Sequence, residues 1–196
     1  MQLPSIPAGL YAEAWPPLLA VRGPGARRAL HSHHAMHFLL AVDGELTGLI
    51  SESFANEIPA PDFALAVFKG LGHIAPHAHI LHLKNEIFTR DPKAVQAMNA
   101  DPLIAHETQP TKTLAEMVRA DERLKKEFPS MTLPVLILHG TADQATKPSG
   151  SKRFYETVGS QDKTLKLYDG HYHDLLNDLD KEIVMADITN WIVRHV

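Results

Sequence analysis

The chain has 196 residues, of which 44% are hydrophobic and 21% charged, which is enough for one domain with a sizeable core. Its formal net charge of -4 argues against nucleic acid as a partner, because phosphate binding requires a basic surface. The absence of cysteine excludes disulfides, a thiolate nucleophile and a cysteine-based metal site.

The first 44 residues differ in composition from the rest of the chain. Residues 1–42 contain one acidic residue, Glu13, and the first lysine of the chain is Lys69. An apolar run at residues 36–42 is too short to classify as helix or strand. No basic cluster leads into an apolar stretch, so no secretory signal is expected. We predict a divergent or truncated N-terminal segment at residues 1–44 and the main domain at residues 45–196.

From residue 45 onward, strand and helix patterns alternate. Strand patterns occupy residues 46–50, 135–138 and 164–168, and helix patterns occupy residues 63–71, 92–98, 113–127, 148–158 and 181–193. Asp62 and Asp91 are predicted N-caps, and Thr113 with Glu116 has the spacing of a capping box. The final helix carries apolar residues on or near one face: Ile183, Val184, Ile188, Trp191 and Ile192.

This order predicts an α/β fold, in which helices flank both faces of a parallel sheet and a helical insertion follows the first strand. Three strands are few for such a sheet, so the domain corresponds to the C-terminal portion of a larger fold. An incomplete sheet exposes a strand edge and apolar faces, which predicts self-association. No apolar run approaches the ~20 residues of a membrane-spanning helix. We therefore expect no membrane span and a cytoplasmic location.

Two loops that follow neighbouring strands carry the candidate chemistry. Asp143 lies in the loop after the strand at residues 135–138, and His173 lies in the loop after the strand at residues 164–168. One crossover helix joins these strands, so the loops should lie side by side at the carboxyl edge of the sheet. An aspartate that holds one imidazole nitrogen is the orienting half of a charge-relay site. Asp143 is equally typical of a turn residue, His173 of a structural histidine, and His171 competes with His173.

From about residue 45 to the C-terminus, the sequence resembles the α/β-hydrolase-fold serine hydrolases, in particular the monoacylglycerol lipase and lysophospholipase branch. The resemblance rests on DPL at residues 101–103, LPVLILHGTAD at residues 133–143 and SQDKTLKLYDGHYH at residues 160–173. It implies a carboxylic-ester hydrolase for a small apolar ester such as a monoacylglycerol, with no cofactor. It assigns the acidic role to Asp143 and the general base to His173, which follows a glycine and an aromatic residue as in the family.

The resemblance also implies a cap at residues 56–128, between the first and second strands of the main domain. Apolar residues of its first helix are available to line an acyl pocket: Phe63, Leu65, Val67, Phe68, Leu71 and Ile74. Ordinary packing between helices explains the same stripe.

The nucleophile is where the sequence departs from the family. The Gly-x-Ser-x-Gly elbow is absent, although its glycines permit the tight turn that presents the serine hydroxyl. Ser32 has the most similar surroundings, but Leu30 and His34 replace the two glycines. The alternatives are an inactive pseudo-hydrolase that binds an apolar ligand or a partner chain, and a hydrolase completed by a second chain.

Two groups of histidines have the composition of metal-binding tracts. They are His31, His33, His34 and His37, and His73, His77, His79 and His82. A helical stretch would place His73 and His77 on one face, but the HExxH motif is absent. We interpret both groups as surface or cap histidines and predict no metal site.

Overall fold

The computed structural model describes residues 12–15, 18–21, 36–42, 45–54, 61–104 and 108–195. Near the N-terminus, β1 (Ala12–Trp15) pairs with β2 (Leu18–Val21) as an antiparallel hairpin. No helix in the described part of the chain is long and apolar enough to cross a membrane.

The largest sheet among the described residues has four strands, in the order β3 (Met36–Val42), β4 (Glu45–Glu52), β7 (Val135–Gly140) and β8 (Lys163–Tyr168). The strands β4, β7 and β8 are parallel, as the sequence predicts. The unclassified apolar run is β3, which pairs antiparallel with β4.

Within the described ranges, five α-helices flank this sheet or belong to the segment between β4 and β7. Their bounds are α1 Asp62–Ile74, α2 Pro92–Ala100, α3 Thr111–Glu127, α4 Pro148–Thr157 and α5 Lys181–His195. The segment between β4 and β7 contains α1, α2 and α3, and α1 packs along α3. A short antiparallel pair, β5 (His79–Leu81) with β6 (Gln109–Pro110), connects the stretch after α1 to the stretch before α3.

The predicted helix caps are partly wrong. Asp91 is the N-cap of α2 and accepts a hydrogen bond from the Lys93 N–H at 2.8 Å. In contrast, Asp62 is the first helical residue of α1, and α3 begins at Thr111, two residues before the predicted capping box. The start of α3 is set by a tertiary contact, since the Thr111 hydroxyl donates to the carbonyl of Ala75 at the end of α1.

The core lies on both faces of β7, whose six residues are all buried. Val135 and Ile137 pack on one face with residues of α4 and with Phe128, which follows α3. On the other face, Leu136 and Leu138 pack against Val184, Ile188 and Trp191 of α5. Each such side chain contributes roughly 1.5–3 kcal/mol through burial.

One residue of α5 departs from the predicted buried face. Ile183 is 59% exposed, although it precedes the fully buried Val184. At Gly48 of β4, an added Cβ would lie 2.6 Å from the Trp191 ring, so this small residue lets α5 approach the sheet.

Candidate active site

The loops after β7 and β8 are in direct backbone contact. The Ala142 N–H donates to the carbonyl of His171 at 3.0 Å, and the Thr141 N–H donates to the carbonyl of Tyr168 at 2.9 Å. A Cβ added at Gly140 would lie 2.3 Å from the carbonyl oxygen of His171, so only glycine fits there. The order of the strands predicts that these two loops lie side by side, and this arrangement brings their polar side chains together.

Asp143 and His173, the two predicted site residues, are hydrogen-bonded to each other. The distance between Asp143 Oδ2 and His173 Nδ1 is 2.7 Å, and both side chains are almost fully buried. The other carboxylate oxygen, Oδ1, accepts from the N–H groups of Ala145 and Thr146 at 2.7 and 3.0 Å. These two backbone bonds fix the carboxylate inside its own loop.

Asp143 also contacts a second imidazole, that of His139, which the sequence patterns do not predict. His139 Nε2 lies 2.9 Å from Asp143 Oδ2, and His139 Nδ1 lies 2.7 Å from the Ser151 hydroxyl. The Thr146 hydroxyl donates to the same carboxylate oxygen at 2.9 Å. The signal in the sequence for this contact is a histidine that directly follows the apolar strand pattern at residues 135–138 and precedes Asp143 by four residues.

The surroundings of Asp143 favour its ionised form. Burial opposes ionisation, but the hydrogen bonds from His139 and His173 outweigh it and hold the pKa of Asp143 well below its usual range. Asp143 is therefore a carboxylate at neutral pH and keeps a proton on His173 Nδ1, which leaves Nε2 as the basic nitrogen of that ring.

His171 lies in a different environment from His173. Its Nδ1 is 3.5 Å from Asp178 Oδ2. Burial and the nearby Arg90 guanidinium lower the pKa of His171. Of the two competing histidines, it is therefore His173 that contacts Asp143.

The segment between β4 and β7 holds the His173 loop from outside. The ring of Phe88 lies edge-on to that of His173, with 5.6 Å between the centroids. Arg90 Nε donates to the buried Asp178 at 2.8 Å, and Asp178 also accepts the N–H of Tyr172 at 2.9 Å. Burial opposes ionisation of Asp178, but the hydrogen bonds from Tyr172 and Arg90 outweigh it and lower its pKa.

Comparison with known proteins identifies the family. Residues 32–180, well over half of the chain, match the family model described as serine aminopeptidase, S33 (Hydrolase_4). The chain belongs to this α/β-hydrolase family. A monoacylglycerol lipase of Mycolicibacterium smegmatis is 33% identical over 132 residues, which are 67% of this chain and 47% of the relative. A caffeoylshikimate esterase of Arabidopsis thaliana is 37% identical over 110 residues, which are 55% of this chain and 33% of the relative.

A solved structure of the family has the same fold. The crystal structure of Paleococcus ferrophilus monoacylglycerol lipase superposes with a TM-score of 0.71 at 34% identity, covering 79% of this chain and 61% of that one. The chain spans about half the length of the curated monoacylglycerol lipases it matches. The fold and family predicted from the sequence are thus confirmed.

The predicted acyl-pocket residues of α1 are only partly inward. Phe63 is 73% exposed and Ile74 is 83% exposed, and Val67 is also exposed, so these three do not line an enclosed pocket. The side of α1 that includes Gly72 packs against α3, since a Cβ added at Gly72 would lie 2.6 Å from Ala115 of α3. The other three, Leu65, Phe68 and Leu71, are half-buried.

The remaining predicted residues are the two histidine groups and Ser32. Among the described residues, no group of three or more His, Asp or Glu side chains is arranged to hold a metal ion. α1 ends at Ile74, so His73 and His77 do not share a helix face, and His73 Nε2 instead lies 2.7 Å from an Arg119 guanidinium nitrogen. Ser32 lies outside the described residues, as do His31, His33 and His34.

Proposed function

We propose that this chain carries the Asp–His part of a serine-type site that hydrolyses carboxylic esters. The observation behind this proposal is the 2.7 Å contact between Asp143 Oδ2 and His173 Nδ1, in the loops that follow the adjacent parallel strands β7 and β8. Catalytic residues occupy such loops, at the carboxyl ends of the strands, in open α/β folds. The family match supports the same reading.

In the proposed reaction, His173 Nε2 removes the proton of a serine hydroxyl as its oxygen attacks the ester carbonyl carbon. The tetrahedral intermediate collapses, and the imidazolium returns its proton to the leaving alcohol. Water then repeats the sequence on the acyl-enzyme and releases the carboxylic acid. Asp143 remains ionised throughout, because its pKa is far below that of an imidazolium.

The proposed substrate is a monoacylglycerol or a similar small apolar ester. Relatives named monoacylglycerol lipase from Mycolicibacterium smegmatis and Paleococcus ferrophilus support this substrate class. The relative named caffeoylshikimate esterase shares the carboxylic-ester linkage with a different acyl and alcohol part. The carboxylic-ester bond is therefore the part of the substrate that the names of these relatives share. We propose residues 56–128 as the cap, and Ser32 is a candidate nucleophile although Leu30 and His34 replace the glycines of the elbow.

The test is release of fatty acid from a monoacylglycerol by the full chain, comparing His173→Gln with His171→Gln. We expect His173→Gln to lower kcat/KM by roughly 10³-fold or more, as for other triad residues. His171→Gln is the matched control, because it removes a buried imidazole of the same loop that does not contact Asp143, and its rate should stay within a few-fold of wild type. Equal rates for both variants would contradict the proposal.

A second candidate is a non-catalytic protein that binds an apolar ligand or a partner chain. The absence of a Gly-x-Ser-x-Gly elbow favours it. A folded chain without hydrolysis that binds a monoacylglycerol in equilibrium dialysis would support this alternative. Self-association and a cytoplasmic location also stay predictions, the first to be checked by sedimentation of the purified chain and the second by fractionation of cells.

A further inference from the structure

Two buried polar residues at the end of β4 lie beside the proposed site and have no role in the reaction described so far. Glu52 and Ser53 have 2% and 0% of their surfaces exposed. Ser53 has a φ of 48°, in the left-handed region that non-glycine residues rarely adopt. Such backbone strain persists only where the surrounding contacts hold it, and it is common at functional sites.

The contacts of this pair converge on His173. The Ser53 hydroxyl donates to the carbonyl oxygen of His173. Glu52 Oε1 accepts the N–H of Leu175, two residues further on, at 2.6 Å. The pair therefore holds the backbone by hydrogen bonds at His173 and at Leu175.

Ser53 is also connected to the loop of Asp143. Its N–H donates to the carbonyl of Leu138 in β7 at 2.8 Å. Its carbonyl lies 3.3 Å from the hydroxyl of Thr146, which also donates to Asp143. One dipeptide thus touches both loops whose side chains form the Asp143–His173 hydrogen bond.

Burying a glutamate carboxyl group costs free energy unless its hydrogen bonds to neighbouring groups offset that cost. Burial, and secondarily the neighbouring carboxylate of Asp174, raise the pKa of Glu52 well above its usual range. Asp143 faces the same carboxyl group and adds to this rise. An apolar residue would avoid this cost but could not accept the Leu175 N–H, which would then be a buried unpaired donor.

We propose that Glu52 and Ser53 are positioning residues for His173, holding its backbone so that Nδ1 stays against Asp143. The inference rests on the proposed role of His173 as general base. In this scheme, β4 acts together with the loops after β7 and β8 to determine which ring nitrogen of His173 carries the proton. Neither residue touches the substrate in this scheme.

The test reads the His173 ring directly and needs no turnover. The full chain is labelled with 15N-histidine, and a long-range 1H–15N correlation spectrum distinguishes the Nδ1–H from the Nε2–H tautomer, with His173→Gln used for assignment. Glu52→Leu removes the acceptor, whereas Glu52→Gln keeps it. Ser53→Gly removes the hydroxyl but suits the left-handed backbone. Ser160→Ala is the matched control, since its buried hydroxyl donates to a carbonyl remote from the site, that of Asp162, at 2.9 Å.

We expect Glu52→Leu and Ser53→Gly each to raise the Nε2–H tautomer of His173 by roughly fivefold. This factor corresponds to the loss of one buried hydrogen bond, here the bond between His173 Nδ1 and Asp143. Glu52→Gln and Ser160→Ala should keep the wild-type ratio. A wild-type ratio in folded Ser53→Gly would overturn the proposal even if Glu52→Leu does not fold. The expected shifts in a chain without ester hydrolysis would support the positioning role and refute the proposed function, so the two failures are distinguishable.

Discussion

Asp143→Asn tests how much the shared carboxylate contributes to the fold. The aspartate accepts five hydrogen bonds, two on Oδ1 and three on Oδ2. Asparagine keeps the carbonyl oxygen that accepts from the backbone N–H groups. Its amide nitrogen, however, would face His139 Nε2, His173 Nδ1 and the Thr146 hydroxyl, where the native oxygen accepts.

The loss of three acceptor contacts sets the expected magnitude. At about 1 kcal/mol for each contact, the free energy of unfolding should fall by about 3 kcal/mol. The same figure is typical when one partner of a buried ion pair is removed. For a chain of this length, that loss corresponds to a decrease in Tm of roughly 6–12 °C.

The stabilisation that Asp143 provides depends on pH. Because the pKa of Asp143 is lower in the folded than in the unfolded state, its stabilisation is fully present above the unfolded pKa of about 3.9 and is lost as pH falls toward the folded pKa. Asn at this position does not titrate. The difference in free energy of unfolding between the two proteins should therefore shrink by roughly 1 kcal/mol between pH 7 and pH 3.

Urea denaturation of both proteins at several pH values measures this difference. The matched control is Asp162→Asn, which removes another Asp–His contact, 3.0 Å from His195, at an aspartate side chain that is 59% exposed. Exposed pairs contribute about 0–1 kcal/mol, so this control should change little. Equal losses in the two variants, or an Asp143→Asn loss that does not vary with pH, would contradict a stabilising role for the Asp143 carboxylate.

Two further substitutions test the packing around the site. Gly140→Ala should lower the free energy of unfolding by about 3 kcal/mol, because its Cβ would lie 2.3 Å from the carbonyl of His171. The control Gly70→Ala, in a helix with no atom within 4 Å of the new Cβ, should instead stabilise by about 0.5–1 kcal/mol, and thermal unfolding compares the two. Arg90→Leu should cost about 3 kcal/mol in urea denaturation, because it leaves the buried carboxylate of Asp178 without its cation; a loss under about 0.5 kcal/mol would contradict this.

Regular patterns and strand order account for what the sequence predicts. The unbroken apolar run 135–138 indicates a strand buried on both faces, and β7 is such a strand. The adjacency rule for parallel strands then predicts that Asp143 and His173 lie close together, and their side chains are hydrogen-bonded. These predictions succeed because they depend on periodicity and topology rather than on individual contacts.

Contacts between distant segments account for what the sequence does not predict. The start of α3 follows the hydrogen bond from Thr111 to Ala75, which local capping signals do not reveal. Glu52 and Ser53 follow the predicted strand at residues 46–50, yet their partners His173 and Leu175 lie more than 100 residues further along the chain. Arg90 likewise has no sequence signal that distinguishes it from a surface arginine. Its partner Asp178 is 88 residues further along the chain.

Labelling with a fluorophosphonate probe tests most directly whether this chain contains a complete serine site. We expect labelling of one serine, which is lost in His173→Gln and retained in His171→Gln. Fragmentation of the tryptic peptide 29–69 distinguishes Ser32 from Ser51 and Ser53. Absence of labelling beside an active esterase would contradict the proposed hydrolase activity of this chain.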